Sequence, residues 1–136
     1  MPLMAWNQKF SVGVASLDEE HQRLVALLNH FYDALQAGNA NDVLGDILDR
    51  LIQYTQLHFG HEEQFLQESG YADYAAHKKL HDDLTRQVLA VQQKQKSAAT
   101  NALSVEVMSF LKNWLLNHIQ GTDRKYGPHL NSKGIH

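Results

Sequence analysis

The sequence contains no cysteine among its 136 residues and only two prolines. Without cysteine there are no disulfides, no thiolate metal ligands and no cysteine-bound iron–sulfur clusters. The sequence also lacks the run of roughly 18 apolar residues that a membrane-spanning helix needs. No basic segment followed by an apolar stretch, as in a secretory signal, is visible at the start of the sequence. We therefore expect a cytoplasmic protein, in which any metal is held mainly through nitrogen and oxygen.

An excess of positive charge is missing as well. Twelve basic and fifteen acidic side chains give a formal net charge of −3, which argues against a nucleic-acid partner or an anionic membrane surface. Hydrophobic residues make up 43% and charged residues 20% of the chain, an ordinary globular composition. The length suits one domain, 1–136, with a single sizeable core.

Four segments carry apolar residues at the spacing of an amphipathic helix. The first follows Ser16–Glu19, a capping-box pattern, and stops at Gly38. The next three are predicted from Asn39 or Asn41 to Gly70, from about 73 to 95, and from Thr100 or Asn101 to Gly121. Such helices, joined by short connections, favour an all-α fold, an up-down-up-down antiparallel four-helix bundle. We expect an extended N-terminal arm at 1–15 that packs through Trp6, Phe10, Val12 and Val14, a bundle at about 16–121, and a polar C-terminal tail at about 122–136.

Each predicted helix carries at least one metal-competent side chain on its apolar face. These are His21, His58, Glu62, His77, His81 and His118. Glu63 is turned about 140° from His58 and is expected to face solvent. Asp123 follows His118 by five residues, so a regular helix would turn it about 140° away. Gly121 lies between them and would let the helix loosen or end, so spacing alone leaves Asp123 open.

A single inward histidine is more often a hydrogen-bonded core residue than a metal ligand. Seven inward polar groups in a chain of 15.5 kDa are different, because burying the charged ones without partners costs several kcal/mol each. Bound metal removes that cost by pairing with all of them. Five imidazoles and two carboxylates are too many for one zinc, while calcium and magnesium prefer oxygen ligands throughout. Two first-row ions fit, with iron as the favoured pair, and about one of their roughly twelve coordination positions stays open for dioxygen.

Taken together, these motifs resemble the hemerythrin family, most closely the single-domain bacteriohemerythrins. The resemblance covers nearly the whole chain: W-N-x-x-F-S-V-G-V from Trp6, L-D-E-E-H ending at His21, H-F-x-x-E-E from His58, H-x-x-x-H from His77, and W-L-L-N-H-I-x-x-x-D from Trp114 to Asp123. It implies an oxo- or hydroxo-bridged di-iron centre. One iron, coordinatively filled, would take His77, His81 and His118; the other, with the open position, would take His21 and His58; Glu62 and Asp123 would bridge them. His30, His61, His129 and His136 match no ligand position, and His61 is expected to flank the site.

The resemblance also implies reversible dioxygen binding, for transport, storage or delivery to an oxygen-consuming enzyme or membrane complex. The alternatives are a di-iron enzyme (an oxidase, peroxidase or nitric oxide reductase) and an oxygen sensor. A histidine-rich ligand set and an apolar inner surface without an obvious acid, base or nucleophile favour a carrier over an enzyme. No effector domain is visible to favour the sensor, and we expect a monomer. Apolar residues within about one turn of a ligand are predicted to wall the dioxygen pocket: Leu24, Phe59, Trp114, Leu115 and Ile119.

Overall fold

The computed structural model describes residues 5–97 and 101–136. Four long helices dominate it and confirm the predicted all-α four-helix bundle: α1 Ala15–Gln36, α2 Ala40–Glu68, α3 Tyr74–Ser97 and α4 Asn101–Asn117. Helix α1 packs against α2 and α4, and α2 packs against α3 and α4. Thr100, a predicted alternative N-cap of α4, lies outside the described residues. Within the described ranges, no helix is long and apolar enough to cross a membrane.

Glycine terminates the first two helices. Gly38 and Gly70 follow α1 and α2 with φ of +80° and +71°, a left-handed conformation that glycine adopts without a Cβ clash. The next residue then bonds back to the helix: Asn39 N–H donates to the Ala34 carbonyl at 2.7 Å, and Tyr71 N–H donates to the Leu66 carbonyl at 3.0 Å. These Schellman-type ends reverse the chain within a few residues and bring consecutive helices side by side.

The N-terminal arm packs against the bundle as predicted, with Phe10, Val12 and Val14 buried, and it includes a short 3-10 turn at Gln8–Phe10. The predicted capping box at Ser16 and Glu19 is wrong, because α1 begins at Ala15 and its N-cap, Val14, makes no side-chain capping bond. Asp18 connects the arm to α1 instead. Its carboxylate accepts hydrogen bonds from the Val12 N–H at 2.8 Å and from the Ser11 hydroxyl at 2.6 Å.

Residues 122–136, predicted as a polar tail, are instead largely helical. A 3-10 turn at Asp123–Tyr126 leads into a short helix, α5, at Gly127–Ser132. Tyr126 and Leu130 are fully buried. At Gly127 a Cβ atom would lie 2.2 Å from the Val12 carbonyl oxygen, so only glycine lets this segment approach the arm so closely.

The apolar residues form two clusters. The larger one fills the middle of the bundle between the four long helices. The smaller one joins the arm, the ends of α1 and α2, and the C-terminal segment through Val12, Val14, Leu17, Leu66, Tyr126 and Leu130. The C-terminal segment is therefore part of the folded body, which explains how Asp123, a residue beyond α4, can be fixed in the interior.

Candidate metal centre

All seven predicted ligand residues lie together in the interior of the bundle. They form two overlapping groups, one of Glu62, His77, His81, His118 and Asp123, the other of His21, His58, Glu62 and Asp123. Within each group the candidate ligand atoms all lie within 4.8 Å of one another. The two carboxylates belong to both groups, as expected of residues that bridge two ions. None of the seven is more than 5% exposed.

Helical periodicity accounts for the candidate ligands on α1, α2 and α3. His58 and Glu62 are one turn apart on α2, and His77 and His81 are one turn apart on α3, so each pair lies on a single face. His21 contributes from the first half of α1. Five of the seven side chains therefore follow from regular helices whose apolar faces point into the bundle.

A π-helical turn at His118–Thr122 places the last two candidate ligands, His118 and Asp123. It carries Asp123 back over His118, and the Asp123 N–H bonds to the carbonyls of His118 and Ile119. Such widened turns inside α-helices often occur at functional sites. The helix therefore loosens around Gly121, one of the two predicted outcomes, and does not end there. Neither backbone angle nor space requires glycine at this position, because Gly121 has no positive φ and a Cβ on it would meet nothing within 4 Å.

Imidazole and carboxylate atoms meet at the centre without satisfying one another. His21 Nε2 lies 3.1 Å from Asp123 Oδ2, and His118 Nε2 lies 2.9 Å from Asp123 Oδ1. Yet several atoms of the cluster are buried without a hydrogen-bond partner, among them Nε2 of His21, His81 and His118 and both carboxylate oxygens of Asp123. Unpaired buried polar atoms are costly and rare. Ligands about 2.1 Å from a common ion, at right angles to each other, lie about 3.0 Å apart, so the residues present fit bound metal.

The electrostatics of the seven-residue cluster also fit bound metal. Burial disfavours the charged imidazoles, but contacts with Asp123 and Glu62 outweigh it and raise the pKa of His21 to about 10 and that of His77 to about 9. Burial likewise opposes ionisation of Glu62, but four histidines around it hold the pKa of Glu62 well below its usual range. Without metal, protons must therefore supply the positive charge that the two buried carboxylates require. Metal binding would displace those protons.

Sequence reasoning missed or misplaced three residues that contact the candidate ligands. Glu63, expected to face solvent, instead has Oε2 2.8 Å from His81 Nδ1, because α3 packs beside α2 at this point. Glu20 has Oε1 2.6 Å from His58 Nδ1. The Tyr126 hydroxyl donates to Glu62 Oε2 at 2.9 Å. The only sequence signal for Glu20 and Glu63 is that each adjoins a ligand in the chain, and Tyr126 lay in the presumed tail.

The histidines without a ligand position stay outside the centre. His61, expected to flank the site, does so with a ring 34% exposed and its Nδ1 2.7 Å from Glu20 Oε2. His129 is not in a free tail, because its Nε2 lies 3.0 Å from the Ser69 carbonyl oxygen. His30 and His136 are exposed.

Two of the five predicted wall residues, Phe59 and Trp114, contact candidate ligand rings. Phe59 stacks on His81 with ring centroids 3.8 Å apart, and Trp114 stacks on His118 at 4.6 Å. Leu24, Leu115 and Ile119 are buried. A cavity of about 10 Å³, room for about one water-sized molecule, is lined by Leu24, Leu27, Leu28, Ile47, Leu51, Leu84, Val88, Leu111, Trp114 and Leu115.

Comparison with known proteins identifies close relatives along nearly the whole chain. Residues 12–130 match the family model described as "Hemerythrin HHE cation binding domain". A bacteriohemerythrin of Methylococcus capsulatus is 38% identical over 133 residues, which cover 97% of this chain and 100% of the relative. One from Stenotrophomonas maltophilia is 33% identical, covering 93% of this chain and 80% of the relative. A crystal structure of wild-type hemerythrin superposes with a TM-score of 0.83 at 37% identity, covering 94% of this chain and 98% of that one.

Proposed function

The chain belongs to the hemerythrin family, and on that premise we propose that it binds dioxygen reversibly at a non-haem centre of two iron ions. The observation that carries the proposal is the pair of overlapping ligand groups that share two buried carboxylates, Glu62 and Asp123. When bound, a pair of ferrous ions supplies one electron each, the redox chemistry that lets dioxygen be held and released.

The ligand groups suggest an unequal distribution of donors. His77, His81 and His118 belong to one group only, and His21 and His58 belong to the other only. With the carboxylates shared, one ion would receive three imidazoles and the other two. We therefore assign the position open to dioxygen to the half that His21 and His58 serve.

The chain's own contribution beyond ligation is to exclude water. Leu24, Trp114 and Leu115 lie within about one turn of a ligand and line the apolar cavity. Dioxygen is small and apolar and can occupy such a space, whereas water finds no hydrogen-bond partners in it. Keeping water and protons away slows the side reaction that leaves the irons oxidised. This environment suits a protein that transports, stores or delivers oxygen.

An oxygen-consuming enzyme on the same centre is the competing proposal. The cavity lining offers no general acid, base or nucleophile, which such chemistry needs. Histidines also outnumber carboxylates by five to two among the candidate ligands, whereas carboxylate-rich sites are typical of di-iron enzymes in bundles. Both observations favour the carrier.

Metal analysis and visible spectroscopy test the proposal directly. Protein from iron-replete cells is expected to contain two irons per chain. The reduced protein should develop an absorption band when air is admitted and lose it when air is removed, whereas protein loaded with redox-inert zinc should show no band. One iron per chain, or a preference for zinc, would contradict the di-iron assignment. Steady consumption of oxygen without a reversible band would show an enzyme instead.

A further inference from the structure

Two glutamates outside the seven-residue centre each contact one of its imidazoles on the nitrogen that faces away. Glu20 Oε1 lies 2.6 Å from His58 Nδ1, and Glu63 Oε2 lies 2.8 Å from His81 Nδ1. Both rings are 1% exposed. Their other nitrogens point inward, with His58 Nε2 at 3.2 Å and His81 Nε2 at 3.1 Å from Glu62 oxygens. Each ring therefore bridges an outer and an inner carboxylate.

The contacts with Glu20 and Glu63 indicate which ring nitrogen of His58 and His81 carries the proton. An ionised carboxylate only accepts hydrogen bonds, so a short contact to Glu20 or Glu63 requires a proton on Nδ1. A neutral imidazole with its proton on Nδ1 presents a lone pair at Nε2, which is the atom that a metal needs. Carboxylates in this position also fix the ring orientation and strengthen the imidazole as a donor.

Each glutamate is itself anchored near the surface. The second oxygen of Glu20 lies 2.7 Å from His61 Nδ1, and Glu63 Oε1 lies 3.7 Å from the Lys78 ammonium nitrogen. The glutamate side chains are only 19% and 17% exposed. They are therefore held in place from both sides, unlike a glutamate that swings freely on a helix surface.

The two contacts are divided between the two ligand groups. His58 belongs to the group with two imidazoles, and His81 belongs to the group with three. The other imidazole of the smaller group, His21, has a buried Nδ1 without a hydrogen-bond partner. Glu20 is thus the carboxylate that orients an imidazole on the side assigned to dioxygen.

We propose that Glu20 and Glu63 are positioning residues, one for each metal ion, that hold His58 and His81 with Nε2 turned toward the metal. The inference rests on the proposed di-iron function and extends it beyond the seven ligands. The two glutamates would serve different ions. Glu20, through His58, would serve the ion open to dioxygen, and Glu63, through His81, would serve the ion that is coordinatively filled.

The test compares Glu20→Gln and Glu63→Gln with two matched controls. Glu19→Gln changes the neighbouring residue in α1, whose side chain is 66% exposed and pairs with Arg23. Glu68→Gln makes the same change at the end of α2, where Glu68 pairs with Gln64. Glutamine keeps the size of glutamate but removes the charge and the second acceptor oxygen. Metal-free protein is titrated with cobalt(II) under nitrogen, with visible absorption reporting occupancy of the two sites.

We expect each of Glu20→Gln and Glu63→Gln to weaken binding of one of the two ions about 10- to 100-fold, and the controls to bind like the parent. Proton NMR of the cobalt form supplies the second readout. Each variant should lose, or exchange much faster, one of the shifted Nδ1–H signals that the parent retains. His61→Ala, which leaves the contact between Glu20 and His58 intact, should change affinity by only a few-fold.

Three results would overturn the proposal. Affinities equal to those of the controls would show that the contacts do not support the ligands. Unchanged Nδ1–H signals in both variants would exclude the tautomer argument. A weakened affinity accompanied by loss of helix content in the metal-free protein would assign the two glutamates to folding. If the parent protein itself bound fewer than two ions, the proposed di-iron function would be contradicted. That result is distinct from normal binding by the parent with unchanged binding by the variants, which would contradict only the role of the two glutamates.

Discussion

Replacing Leu115 by alanine tests whether the apolar wall guards the oxygen site. Leu115 is 3% exposed, lies three residues before His118, and lines the cavity together with Leu24 and Trp114. The change removes three buried carbons, which at about 0.8 kcal/mol each is about 2.4 kcal/mol of transfer free energy. The enlarged cavity brings the expected loss in the free energy of unfolding to about 3–5 kcal/mol, or roughly 10–17 °C in Tm.

The functional consequence should be larger than the loss of stability alone explains. A cavity enlarged beside the ligands can admit water, so we expect the oxygenated absorption band of Leu115→Ala to decay several-fold faster than that of the parent. Both proteins should still bind two irons, which metal analysis verifies before each decay is recorded.

A matched control separates a local effect from general loosening. Leu44 is fully buried in the same core but lies fourteen residues before His58 on α2, roughly 21 Å along the helix axis. Leu44→Ala should lose similar stability and keep the parental decay rate. Equal acceleration in both variants, or an unchanged decay in Leu115→Ala at full iron occupancy, would refute the idea that this side chain protects the site.

Three further outcomes follow from the geometry of the centre. Replacing His77 or His118 by alanine should abolish stable iron binding, because the remaining buried charges are left under-compensated. The control His30→Ala should retain two irons. Equal loss of iron from all three variants in metal analysis would show that the ligands are wrongly assigned. Tyr126→Phe should remove one buried hydrogen bond from the shared carboxylate and lower the stability of the metal-free fold by about 1–3 kcal/mol, measured by chemical denaturation against the parent; an unchanged stability would mean that the hydroxyl is not needed there. Metal binding should release protons at pH 7–8, and metal affinity should rise with pH. The reason is that the raised pKa values of about 10 for His21 and about 9 for His77 keep both imidazoles protonated until metal displaces the protons. Calorimetry in two buffers of different ionisation enthalpy would detect the proton release, and a pH-independent metal affinity would contradict it.

The sequence alone determined the bundle and most of the site, because both depend on relations within single helices. Apolar spacing located four helices, and the four-residue steps from His58 to Glu62 and from His77 to His81 placed each pair on one face. Glycines at 38 and 70 marked the ends of α1 and α2. These relations follow from the 3.6-residue period and need no knowledge of packing.

Tertiary structure alone decided the residues whose roles depend on two elements meeting. Asp123 reaches the centre because the helix widens into a π turn, and a five-residue spacing cannot distinguish that from a regular helix, which would turn it away. Glu63 is directed inward by α3, whose His81 supplies its partner. Tyr126 reaches Glu62 because Gly127 lets the C-terminal segment close against the arm. Periodicity describes one helix at a time, whereas these contacts exist only after the helices have packed.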